Sequence, residues 1–188
     1  MTMLNLFRRS PDPHLLVVGM TGVKLGERFL QIGCAHGGRL GAIAARVGLS
    51  GRAVAVVPDE RSAARARKGA AEAGVLLDVE IAPPTDLPLA SGEFDLVVID
   101  ATGDGAGVAP HQRAAAVHEA LRVLRPGGRA IVMAQGRRTG LAALLPSTPS
   151  AWSTEAESVL KAGGFGSVRT LADREGLIFV EGIKPRPG

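Results

Sequence analysis

Residues 31–38 read Gln-Ile-Gly-Cys-Ala-His-Gly-Gly and join the apolar run Arg28–Ile32 to an alanine-rich segment with helical spacing. A glycine-rich turn that opens a helix presents backbone N–H groups and the positive end of the helix dipole, so it suits an anionic or nucleotide ligand. His36 and Arg39 stand at that helix start and could meet a carboxylate or phosphate; a solvated loop edge is the competing reading. Cys34 and His36 are metal-ligand types. A structural zinc site takes four ligands, however, and the sequence offers no partner pair, so no metal site is read. Farther along, Asp100 ends the apolar run Phe94–Asp100, a position that faces the ligand crevice of an open α/β sheet. His111 and His118 lie seven apart, so one helical face could carry both.

These groups need a frame, and the chain alternates strand and helix patterns to supply one. Leu15 to Lys24 reads as a short helix. Strands are expected at Arg28–Ile32, Arg52–Val57, Val75–Ile81, Phe94–Asp100 and Arg129–Ala134. Helices fit Arg39–Val47, where Leu40, Ile43, Ala44 and Val47 repeat at helical spacing, and Arg61–Ala73, with Asp59 as a natural N-cap. Pro110–Leu124 places Ala114, Val117, Leu121 and Leu124 along one side, followed by a tight Arg-Pro-Gly-Gly turn. Trp152–Ala162 is a last helix, and the segments from Ser167 and Leu177 make a hairpin around Asp173–Gly176. The alternation predicts an α/β, Rossmann-like, doubly wound sheet, mostly parallel, with a C-terminal antiparallel hairpin. Its crevice lies where the turn after Ile32, the end of the second strand at Val57, and the loops at Pro83 and Asp100 converge.

The 188 residues suit one domain with a sizeable core, and 46% hydrophobic with 21% charged residues is a globular balance. One cysteine, Cys34, forms no internal disulfide, which points to a reducing compartment. No signal peptide is read at the N-terminus, so the expected location is cytoplasmic. The net charge of +4 and pI near 10.0 raise nucleic acid as a partner. The arginines are scattered and no aromatic residues interleave with them to stack bases, which argues against it. Leu6-Phe-Arg-Arg9 offers only a weak peripheral contact to an anionic membrane.

Four segments together resemble the class I S-adenosylmethionine (SAM) dependent methyltransferases, in particular the small-molecule branch that includes quinone-ring and related C-methyltransferases. They are GERFLQIGCAHGG (Gly26–Gly38), DLPLASGEFDLVVID (Asp86–Asp100), HEALRVLRPGGRAIVM (His118–Met133) and KAGGFGSVRTLADREGLIFVEGIKP (Lys161–Pro185). The likeness spans nearly the whole chain from Gly26. It implies a seven-stranded sheet in a methyltransferase-like domain at 26–188, with 1–25 as an N-terminal extension. It also implies SAM as cofactor, with Gly33, Ala35 and Gly37 lining it.

The resemblance further implies acids at three places where this chain has none. The position that supports the methionine end is Gln31, the one that takes the ribose hydroxyls is Val57, and the one that meets the adenine amine is Pro83. Asp59 and Asp86 stand nearby as substitutes, with an N-cap and a solvated loop acid as the competing readings. Asp100 would sit beside the transferred methyl. His111 lies near the loop where the family places substrate contacts and is the candidate general base, against a surface histidine. Asp-Ala-Thr-Gly at 100–103 lacks the Asn/Asp-Pro-Pro-aromatic pattern of the enzymes that methylate nucleobase or protein-amide nitrogen. The apolar stretch Leu141–Trp152 suits either a small apolar acceptor or a partner protein. Two readings follow: an active SAM-dependent methyltransferase on a small apolar acceptor, or a pseudo-methyltransferase serving as an accessory subunit. A lesser one is an NADP-binding protein. There the turn would be a G-x-A-x-x-G fingerprint with Arg61 meeting the 2′-phosphate, although Val57 lacks the acid that NAD would want.

Overall fold

The computed structural model describes residues 14–103, 108–136 and 151–188. Seven strands form one sheet: β1 (Arg28–Ile32), β2 (Arg52–Val57), β3 (Asp78–Ile81), β4 (Phe94–Ala101), β5 (Leu124–Gln135), β6 (Gly166–Arg174) and β7 (Leu177–Ile183). Their spatial order is β3-β2-β1-β4-β5-β7-β6. The first five run parallel, and β7 pairs antiparallel with both β5 and β6. The order reverses between β1 and β4, so the switch point is at the turn after Ile32, as the sequence suggested.

Helices cover both faces. α1 (Leu15–Thr21), α2 (Gly37–Val47) and α3 (Glu60–Ala73) pack on one side. α4 (Arg113–Val123) and α5 (Ala151–Ala162) pack on the other. The strands alternate between the two layers. Phe29, Ala55, Val57, Leu96, Val98 and Met133 face α1–α3; Leu30, Ile32, Val56, Val97, Ile99 and Val132 face α4 and α5. Both sets are apolar, which is why these strands read as continuous apolar runs. The same alternation turns Gln31 and Asp100 toward the α2 side.

α2 and α3 approach closely because glycines line the contact. A Cβ at Gly37 would lie 2.1 Å from the Arg65 carbonyl oxygen, and one at Gly69 would lie 2.0 Å from the Gly37 carbonyl oxygen. This seats the start of α2, and with it the glycine turn, against α3.

Several expected boundaries shift. β3 starts at Asp78 rather than Val75, because Val75 N–H still serves the end of α3, donating to Ala70 O at 3.0 Å. The Arg-Pro-Gly-Gly turn is a bulge within β5: Leu124 pairs with Phe94 and Arg129 with Leu96, so residues 125–128 loop out between them. A 3₁₀ turn at Pro110–Gln112 precedes α4, whose buried side is Arg113, Ala116, Val117, Ala120 and Val123; Ala114 is exposed. The hairpin turns at Glu175 and Gly176, both at positive φ (54° and 73°), as a two-residue hairpin link requires.

Candidate functional site

The site sits at the carboxyl edge of β1, β2 and β4. β1 delivers the chain into Gly33, whose φ of 80° is open to glycine at little cost. Gly33 N–H donates to Val56 O at 2.8 Å, which pins the turn to β2. Ala35 needs no left-handed backbone, so an alanine is accommodated in the turn.

Asp100 organises the turn from β4. It is fully buried. One carboxylate oxygen accepts from Ala35 N–H at 2.9 Å; the other accepts from Thr102 N–H at 3.1 Å and from the Thr102 hydroxyl at 2.6 Å. Arg39 donates to that same hydroxyl at 3.1 Å. A chain thus runs from Arg39 through Thr102 and Asp100 to Ala35. The sequence put Asp100 beside the reacting methyl, but both of its oxygens already serve backbone or hydroxyl donors. Its visible work is to tie β4 to the glycine turn.

Arg65, on α3, closes the other side. Its Nε donates to Cys34 O at 3.1 Å and its guanidinium to Ser62 Oγ at 2.8 Å. Cys34 itself is buried, and burial pushes its thiol up to about 12; Asp100 adds to the rise and Arg65 opposes it. It is a packed, protonated thiol, not a nucleophile. His36 is the N-cap residue of α2 but makes no side-chain cap. Partial desolvation beside the turn lowers its pKa, helped by Arg39, then Arg65 and His14, with Asp100 opposing.

Gln31 is completely buried. Its Nε2 donates to Gly33 O at 2.9 Å, which holds the carboxamide at the turn, while its Oε1 has no hydrogen-bond partner among the described residues. A buried acceptor without a donor costs free energy, so this atom asks for one from a ligand.

The remaining sequence candidates fall in different places. Val57 is buried in the apolar layer under α2 and α3 and offers no acceptor. Asp59 is exposed and caps α3, accepting from Ser62 N–H at 2.7 Å; that hydrogen bond holds its carboxyl below the usual range. Asp86 is exposed in the loop after β3, where its charge reaches Arg122 of α4. Pro83 is exposed in the same loop, and His111 is exposed at the entry to α4. Gly37 lies at the turn, but the space its absent Cβ would fill belongs to α3. Trp152 is 3% exposed and packs into the core under α4, with Arg113 stacked 5.3 Å from its ring. The Leu6–Arg9 segment and most of Leu141–Trp152 lie outside the described residues.

Arg65 and Thr102 escaped the sequence reading. Nothing in the spacing of α3 marks Arg65, and Thr102 follows a strand end without a motif of its own. Among the described residues no three or more His, Cys, Asp and Glu side chains come together as a metal site, and no helix is long and apolar enough to cross a membrane. A cavity of about 640 Å³ opens at the opposite, amino edge of the sheet, between the ends of α2 and α3 near Leu49 and Leu76, away from these groups.

Comparison with known proteins agrees with this geometry. A family model described as "Methyltransferase domain" matches residues 29–128, more than half of the chain. A SAM-dependent methyltransferase from Aquifex aeolicus superposes with a TM-score of 0.69 at 17% identity, covering 92% of this chain and 90% of that one. A SAM-dependent O-methyltransferase from Thermotoga maritima gives 0.69 at 15% identity, covering 99% and 69%. At these identities the solved structures speak for the fold alone. An uncharacterized 37.1 kDa protein in transposon Tn4556 of Streptomyces fradiae is 35% identical over 109 residues, which is 57% of this chain but only 30% of that protein's length. With the 3-2-1-4-5-7-6 sheet and the glycine turn at its switch point, these matches establish that the chain belongs to the class I SAM-dependent methyltransferase family.

Proposed function

We propose that the chain binds SAM at the Gln31–Gly38 turn and transfers its methyl to a small, largely apolar acceptor. The observation that carries this reading is the buried, donorless Oε1 of Gln31. The α-ammonium of SAM is a donor of the kind that atom lacks, and a hydrogen bond to a charged partner is worth about 1.5–3 kcal/mol. The fit is good at the methionine end and thinner at the ribose end. There Val57 offers nothing, and Asp59 already spends one oxygen on its helix cap.

When bound, the cofactor supplies a sulfonium methyl that is already activated. The chain's own residues then have mostly placement to do. Gln31 accepts from the ammonium. Asp100 keeps Ala35, and hence the turn, at a fixed height over β4. The acceptor enters from the α4 side, where Val108 packs against the core. His111 stands at the same entry and is the candidate general base.

Calorimetric titration with SAM and with S-adenosylhomocysteine, its demethylated product, tests the reading. Both should bind, and Gln31→Leu should weaken both by about tenfold or more. No heat and no thermal stabilisation at millimolar ligand would overturn it.

The occupied oxygens of Asp100 and the apolar Val57 favour a second reading, a pseudo-methyltransferase that keeps the frame and acts as an accessory subunit. Absent SAM binding together with a stable complex with a partner protein would select it. The NADP reading draws no support from the sheet: dinucleotide-binding domains run 3-2-1-4-5-6, without the antiparallel strand inserted beside β5.

A further inference from the structure

Five arginines among the described residues are not exposed: Arg39, Arg65, Arg113, Arg122 and Arg129. Three of them hold a carboxylate. Arg113 pairs with Glu155, Arg122 with Glu119 and Arg129 with Glu27. Arg39 and Arg65 have no ion pair among the described residues; their hydrogen bonds go to a threonine hydroxyl, a serine hydroxyl and a backbone carbonyl. The two exceptions lie on opposite sides of the same glycine turn. A guanidinium drawn partly out of water without a counter-charge is costly, and this fold answers that cost elsewhere with a glutamate.

Asp59 feels the charge of Arg65 but is engaged in its helix cap, and Asp100, whose charge acts on Arg39, is saturated. Its two oxygens accept from Ala35 N–H and from both donors of Thr102. Arg39 uses one terminal nitrogen on Thr102 and leaves the rest of its fork without a hydrogen bond among the described residues. That fork matches a carboxylate or phosphate in two-point geometry. Gln31 Oε1, buried at the same turn, separately asks for a donor. The turn therefore suits a small molecule that brings both a donor and an anion.

We propose that Arg39, backed by Arg65, forms an anion subsite on the glycine turn that takes a carboxylate or phosphate of the bound small molecule. The inference takes the turn as the ligand site, in line with the reading above, but does not need the ligand to be SAM. The anion has two possible sources: the carboxylate at the methionine end of the cofactor, or an acidic group on the acceptor.

The test uses the full chain, Arg39→Met and Arg39→Lys. The probes are S-adenosylhomocysteine, 5′-methylthioadenosine (which lacks the amino-acid end) and inorganic phosphate, read by calorimetry and thermal shift. If the cofactor supplies the anion, Arg39→Met weakens S-adenosylhomocysteine by about tenfold to a hundredfold and leaves methylthioadenosine unchanged. If the acceptor supplies it, S-adenosylhomocysteine is unaffected, while phosphate stabilises the natural chain and not Arg39→Met. Arg39→Lys keeps the charge without the fork and should fall between the two, which also serves if Arg39→Met folds poorly. Phosphate binding that depends on Arg39 in a chain that ignores SAM and its product would leave the subsite standing and remove the cofactor reading. Equal responses of the natural chain and both variants to all three probes, or no binding of any probe, would overturn the subsite.

Discussion

Asp100 offers the sharpest test of how this site is built. If it is a lock on the turn rather than a reacting group, removing it should cost the fold before it costs any chemistry. Asp100→Ala strips a buried carboxylate that accepts three hydrogen bonds, at 2.9, 3.1 and 2.6 Å. It leaves the N–H groups of Ala35 and Thr102 without an acceptor, and an orphaned buried donor costs about 1–3 kcal/mol. The two penalties share one site and need not add fully, so the expected loss is about 3–5 kcal/mol. For a chain of this length that is a fall in Tm of about 6–20 °C. Asp100→Asn keeps the shape and one oxygen but turns an N–H₂ toward existing donors, so it should lose roughly half as much. Urea denaturation followed by circular dichroism gives both numbers, with the slope checked for constancy. An Asp100→Ala protein within about 0.5 kcal/mol of the natural chain would refute the reasoning. It would mean the carboxylate is held in place by the fold for use on a ligand.

Gly37→Ala should destabilise the protein by about 1–3 kcal/mol, because its Cβ would meet the Arg65 carbonyl at 2.1 Å. Gly19→Ala on α1, where a Cβ meets nothing within 4 Å, should stabilise it by about 0.5–1 kcal/mol; the same urea titration reads both, and equal effects would contradict the helix contact. Cys34, buried with a thiol near 12, should resist a disulfide reagent in the folded protein at neutral pH and react fully in denaturant; rapid native reaction would show the turn to be open. His36 has a folded pKa below its ordinary 6.5, so the unfolded chain binds its proton first. Its contribution is therefore intact above about pH 6.5 and declines as pH falls from there toward the folded value. His36→Gln should flatten that part of the stability profile; an unchanged slope in the variant would assign it to other groups.

Much of this protein can be read from its sequence for a physical reason. Parallel strands buried on both faces must be apolar throughout, so Phe94–Asp100 and Arg52–Val57 announced themselves without a partner in view. Asp59 spoke through local chemistry, since a helix cap needs only its own next turn. The hairpin at Glu175–Gly176 and the glycine turn after Ile32 were legible for the same reason. The tertiary structure alone decided what depends on distant segments meeting. Asp100 stands 65 residues from Ala35, and only the pairing of β1 with β4 spends its oxygens on the turn. That Gly37 has no room for a side chain is decided by α3, which fills the space beside it. Trp152 looked like part of an apolar surface until α4 and α5 buried it. Arg65 carried no signal in the sequence, and Arg39 only its place at the start of α2, which left an anion contact and a solvated edge both open. Their meaning comes from the carboxylates that the fold places beside the other arginines and withholds from these two, a pattern set by packing across the sheet and not by spacing along the chain.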